Sequence, residues 1–256
     1  MKVRVLFILT IFISMLQATA EEISESHYED LFIAANGAYK VGAYDSAKSI
    51  YNEILSSGLE SAELYYNLGN THFKLGNTPS AILFYERANK LAPWDADIQY
   101  NLATARSFTA DKIEPIEQVF FKQWVYDIAS LTTTDSWAWW CSIFLSLCAI
   151  SFAIFRLSSN SNWRQTALIA TMVIGVISMV ILGISSASNK VESREEAIVF
   201  SPTVNVKSEP AQASTVLFVV HEGVKIEVVS TESGWIRARF EDGNTGWLPA
   251  EAIEMI

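Results

Sequence analysis

Apolar and polar positions divide this chain into stretches of different rhythm. Residues 5–16, 137–155 and 165–189 carry no charge at all. Across residues 22–108 the apolar positions recur at helical spacing, and from residue 195 onward they come in short β-branched runs. The two long uncharged runs dominate. About 20 apolar residues at 1.5 Å each cross a hydrocarbon core of roughly 30 Å, and only a helix satisfies its own backbone there. The pattern predicts a transmembrane hairpin: helices over 137–157 and 165–187, joined by a short loop over 158–164. Helices in a soluble core keep a polar stripe, and neither run shows one.

A hairpin returns the chain to the side it left, so the flanking parts must share a compartment. The amino terminus names that compartment. Met1-Lys2-Val3-Arg4 is a basic start, an apolar run follows, and Ala18-Thr19-Ala20 precedes Glu21-Glu22. This is the pattern of a secretory signal peptide over 1–20, cleaved after Ala20. Residues 22–136 and 190–256 are then expected outside the cytoplasmic membrane. The loop, flanked by Arg156 and Arg164, faces the cytoplasm.

Composition narrows the picture further. The net charge of −10 is spread over both flanking parts, and acidic surfaces repel nucleic acid and anionic lipid alike. Cys141 and Cys148 are the sole cysteines and lie in the first apolar run. No disulfide staples the exported parts, and the pair is expected to serve helix packing.

A 34-residue period organises residues 22–108. Residues 62–95 read AELYYNLGNTHFKLGNTPSAILFYERANKLAPWD. Tyr65, Leu68, Gly69, Ala81, Tyr85, Ala88 and Pro93 occupy the signature positions of a tetratricopeptide repeat, which this stretch resembles. Gly69 and Ala81 are small where two antiparallel helices cross, and Pro93 ends the second helix. Shifting the frame back by 34 gives a repeat over 28–61; shifting it forward gives a half repeat over 96–108. His72 stands where an aromatic is usual. It has no ligand partners at metal spacing.

The tetratricopeptide resemblance implies a concave groove lined by the first helix of each repeat. At that spacing Phe32, Tyr66 and Tyr100 form one ladder; Asn36 and Asn70 lie a turn on, then Tyr39 and Phe73, with Lys74 beside them. Glu29, Glu63 and Asp97 form an acidic rail at the near end. Aromatics with amides suit an extended peptide or a partner helix. Two alternatives stay open: some of these residues pack repeat against repeat, or the groove is filled by the chain's own stalk. That stalk, residues 109–136, starts at a proline break and reads as an amphipathic helix on Ile116, Phe120, Trp124, Ile128 and Leu131.

Beyond the hairpin, strands are expected at 197–200, 204–206, 216–220, 225–229, 235–239 and 246–248, punctuated by Glu222-Gly223, Ser233-Gly234 and Asp242-Gly243-Asn244. Residues 195–256 resemble a bacterial SH3-like domain, most specifically through Asp242-Gly243-Asn244-Thr245-Gly246-Trp247-Leu248-Pro249. That resemblance implies a small barrel binding cell-wall peptides or protein segments through exposed aromatics. Trp235 and Trp247 are the candidates, with core filling as the competing role.

The fold class expected is therefore multidomain: an α-solenoid, a transmembrane α-hairpin and a small all-β barrel. That order, with Asp111-Lys112-Ile113-Glu114-Pro115 and Ser136-Trp137-Ala138-Trp139 ahead of the first span, resembles the E-type proteins of the bacterial aerotolerance (Bat) operon. The resemblance implies a membrane-anchored scaffold working with von Willebrand factor A-type membrane proteins and a MoxR-type ATPase in envelope or oxidative-stress tolerance. No nucleophile–base set, metal cluster or phosphate loop stands out in the sequence, so no catalysis and no cofactor are expected. The reading favoured is an adaptor for envelope proteins; the alternative is a tether or sensor whose barrel reads peptidoglycan.

Overall fold

A computed structural model describes residues 27–113, 125, 128–129, 131–132 and 134–256 of the chain. The predicted signal peptide and most of the stalk lie outside the described residues. Five helices come first: α1 (27–40), α2 (Tyr44–Ser56), α3 (Ala62–Lys74), α4 (Thr78–Leu91) and α5 (Ala96–Ser107). Local chemistry starts three of them. The side chains of Ser61, Asn77 and Asp95 each accept a hydrogen bond from a first-turn backbone N–H of α3, α4 and α5, satisfying donors that a helix end leaves orphaned. The helices pack in antiparallel pairs. A Cβ added at Gly69 would lie 2.6 Å from Cδ1 of Tyr85, so the α3–α4 crossing excludes any side chain there.

Two long helices follow, α6 (Thr134–Leu157) and α7 (Ser161–Glu192), packed on each other. Both are long and apolar enough to cross a membrane. Both also start earlier than the hydropathy pattern predicts. Asn160 accepts a hydrogen bond from Asn162 N–H (2.9 Å) and so caps α7 inside the stretch expected to be loop. The packed seam is built of small residues: Ser151 Oγ donates to the Ala167 carbonyl (2.9 Å) and Cys148 Sγ to that of Thr171 (3.6 Å). Both cysteines are free.

The carboxy-terminal part is an antiparallel sheet of seven strands in the order β3-β2-β6-β5-β4-β1-β7. These are β1 (Glu196–Val199), β2 (Thr203–Lys207), β3 (Val216–His221), β4 (Lys225–Glu232), β5 (Trp235–Phe240), β6 (Thr245–Pro249) and β7 (Ile253–Met255). It curls around a core that includes Val199, Val206, Ile226, Phe240 and Leu248. Strand β7 has no counterpart among the expected strands; it is three residues long and pairs with β1. The architecture is thus a helical repeat region, two apolar helices and an SH3-like β domain.

Array and β domain form one compact unit, interrupted by the segment from Glu114 to Glu195 that carries α6 and α7. Strand β1 shows how. Ala197 and Val199 point into the β core, while Ile198 packs among Ala81, Ile82 and Leu83 of α4. Strand β1 is thus buried on both faces, and its near-continuous apolar run is the signature of that.

Candidate functional site

The predicted groove residues fall on α1, α3 and α5, and their surroundings differ. Phe32, Tyr39, Tyr66 and Phe73 are half-buried, each leaning on a second aromatic ring. Phe32 meets Tyr51 edge-on at 5.9 Å, Tyr39 meets Tyr44 at 5.2 Å, Tyr66 lies 6.0 Å from Tyr85, and Phe73 meets Phe108 at 5.4 Å. Tyr100 is 72% exposed. Lys74 is exposed in the last turn of α3, where a cation also suits the helix dipole. Glu29, Glu63 and Asp97 are exposed as well.

Asn36 and Asn70 are committed to the array itself. Asn36 Oδ1 accepts from the Tyr51 hydroxyl (2.5 Å) and from Asn67 Nδ2 (3.2 Å). One repeat later, Asn70 Oδ1 accepts from the Tyr85 hydroxyl (2.7 Å) and from Asn101 Nδ2 (2.8 Å). The same three-residue contact recurs at a spacing of 34. It ties the two helices of one repeat to the first helix of the next. Burial above all pushes the Tyr51 hydroxyl up to about 12, and the Tyr85 hydroxyl higher still. Both remain protonated donors, which fixes each asparagine with its oxygen inward.

Tyr51, Asn67, Tyr85 and Asn101 are absent from the sequence-derived site. Their signal was present: Tyr-Asn-Leu at 66–68 returns at 100–102. Among the described residues, no group of three His, Cys, Asp or Glu side chains is placed to hold a metal ion. His72 stacks on Phe84 at 5.2 Å, and burial, followed by the charge of Lys48, lowers its pKa.

The second candidate lies on the β domain. Ser233 (φ 48°) and Gly234 (φ 83°) form a two-residue hairpin turn with both central residues left-handed. That turn delivers Trp235 at the start of β5. Outward positions then alternate with core ones: Ile236, Ala238 and Phe240 are buried, while Trp235 is half-buried and Arg237 exposed. Across the β5–β6 pair, Arg237 faces Trp247 and Trp235 faces Pro249. Lys207 pairs with Trp247 from β2, and its Nζ lies 5.5 Å from the Trp235 ring centre. Neither indole belongs to the buried core; both lie half-exposed on an aromatic face flanked by cations.

Residues 62–93 match the tetratricopeptide repeat family and residues 202–254 the bacterial SH3 domain family. No curated protein matches the chain. Both matched modules are of interaction type, which supports an adaptor role toward protein or peptidoglycan.

Proposed function

We propose that this chain is a membrane-anchored, non-enzymatic adaptor whose groove over α1, α3 and α5 holds a segment of a partner protein. One observation carries the reading. Half-exposed aromatics at repeat spacing stand over a layer of asparagines and tyrosines whose hydrogen bonds are satisfied within the array. A rigid floor beneath apolar anchors is what an extended segment needs, because little side-chain entropy remains to be lost on binding. The acidic rail favours a segment with basic residues at its near end.

Membrane anchoring is supported by the large apolar side chains that α6 and α7 expose, such as Trp139 (72%) and Met179 (76%). Water would not tolerate such a surface, and lipid would cover it. The order of modules and the leader-like amino terminus support a place on the outer face of a bacterial cytoplasmic membrane. By the same resemblance, the partners are von Willebrand factor A-type membrane proteins and the setting is aerotolerance or envelope stress.

Photo-crosslinking in native membranes tests this, with the probe at Tyr100 in the groove and a control at Asn52, exposed on α2. A discrete membrane protein captured from Tyr100 but not from Asn52 is the expected result. Capture of residues 116–131 of the same chain would mean that the groove is self-occupied. Equal capture from both positions would refute the groove.

The aromatic face around Trp235 and Trp247 favours a second reading, a tether that holds peptidoglycan, with the exposed Arg237 placed for its carboxylates, while Lys207 is buried behind Trp235 and spent on Ala211 and Gln212. Detergent-solubilised full-length chain should then co-sediment with purified sacculi, and Trp247→Ala should abolish this. Sedimentation unaffected by that substitution would remove the reading.

A further inference from the structure

In a stacked array the terminal repeat exposes the face its next neighbour would have covered, and some capping element must close it. Here Ile82, Leu83 and Tyr85 of α4 and Leu102 and Ala105 of α5 share one buried cluster with Ile198 of β1. Phe200 and Ile256, also from the β domain, pack against its edge. Polar contacts ring that cluster. The Glu86 carboxylate, 4% exposed, sits between Arg106 at 2.5 Å and Lys225 at 2.9 Å. Lys225 also reaches Glu196 (2.8 Å), and Arg106 reaches Glu241 (3.4 Å). Arg87 donates to the Met255 carbonyl (2.7 Å), and Asp111 accepts from His221 N–H (2.6 Å). A buried carboxylate with a cation from each module is a made interface, since a buried charge persists only where it is paired.

We infer that the β domain is the carboxy-terminal cap of the helical array and that its docking holds α5, the last groove-lining helix, in place. Helix α5 lies on α4, and the β domain closes over that contact: of its buried residues Ile98, Leu102 and Ala105, the last two belong to the cluster shared with Ile198, and its Arg106 reaches Glu241. Through Asn101 it fixes both Asn70 and the Tyr66 hydroxyl (3.0 Å). Undocking therefore loosens the groove floor over two repeats. By reciprocity, any ligand that needs an ordered α5 strengthens docking of the β domain.

Hydrogen exchange on the full-length chain in detergent micelles tests the coupling, and it needs no ligand, so its outcome is independent of what the groove binds. Ile198→Asp places a charge in the shared cluster while leaving the β core residues Ala197 and Val199 unchanged. Amides of α5 should exchange at least tenfold faster, while those of β5 and β6 keep their protection. Lys225→Glu, which sets a third carboxylate against Glu86 and Glu196, should act in the same direction. Arg239→Glu, whose partner Glu227 lies within the β domain at 3.0 Å, should not. Should Ile198→Asp also unprotect β5 and β6, the Lys225→Glu variant decides the matter alone. Protection of α5 within twofold of the parent chain in Lys225→Glu would overturn the inference.

Discussion

Gly69 shows how much a single residue of the repeat signature decides. It lies against the Tyr85 ring, and that ring's hydroxyl in turn fixes Asn70. Gly69→Ala would gain helix propensity, worth about 1 kcal/mol, but would drive a methyl into a buried ring. Overpacking of this kind costs about 1–3 kcal/mol, so a net loss is expected, read as a lower melting temperature of the array. The residue one repeat earlier is already alanine, Ala35, and it is fully buried; Ala35→Gly should cost about 2 kcal/mol, helix propensity and the lost methyl burial together. The packing role of such positions was legible because size at a crossing is written in residue type. The partners of Asn36 and Asn70 were not, since an amide reads equally as ligand or floor. Glu86 was equally silent. Its carboxyl is fully buried, which alone would raise its pKa, yet Lys225 and Arg106 together hold it below the ordinary value of 4.5. A depressed carboxyl stabilises fully above that value and ceases to as the pH falls through its lower, folded value. Lys225 is raised above 10.5 by Glu86 and Glu196 against desolvation, so its contribution is complete below 10.5 and lost on going higher. Glu86→Gln should therefore lower stability by about 2–4 kcal/mol at neutral pH, allowing for the partial exposure of Arg106. The difference should shrink as denaturation is followed into acid below pH 4.5; a gap that stays constant would place the loss elsewhere.

At the scale of elements, periodicity served well where one face of an element decides its burial, and failed where two faces do. The helix pairs and most strands follow from apolar spacing. Strand β1 does not alternate because it serves two cores, and β7 is too short to show a rhythm at all. The hairpin seam was hidden for a related reason: uniform hydrophobicity carries no stripe, and in lipid the side chains that mark a contact are small rather than apolar. Cys141, Ser151, Ala167 and Ser178 are buried while most of their large neighbours are exposed. Ser151→Leu should thus separate α6 from α7 and destabilise the hairpin in micelles by about 1–3 kcal/mol. Ile154→Leu, at a side chain 42% exposed, should be neutral. Thermal denaturation of the two variants side by side reads this directly, and equal melting of both would place the helix contact elsewhere.

The whole molecule holds a relation that no local pattern reveals. Glu86 and Lys225 stand 139 positions apart, yet they form one ion pair in a buried setting. Nothing in periodicity or composition links such residues, so the modules could be read from sequence and their docking could not. That docking also constrains topology. The chain leaves the compact unit after Ile113 and rejoins it at Glu196. Two modules sharing a buried cluster must lie on one side of any membrane, so the intervening segment has to cross an even number of times. With α6 and α7 as the crossings, the three-residue turn between them lies on the opposite side from Asn244 in the β domain. Cysteine accessibility in intact cells measures this, after Cys141 and Cys148 are replaced by serine. Asn244→Cys should react with a membrane-impermeant maleimide before lysis, and Ser159→Cys only after it. Labelling of both positions before lysis would mean that α6 and α7 do not cross, and their exposed apolar surface would then have to be covered by protein. Labelling of Ser159→Cys alone would keep the crossings and reverse the side, placing the groove and its partner in the cytoplasm.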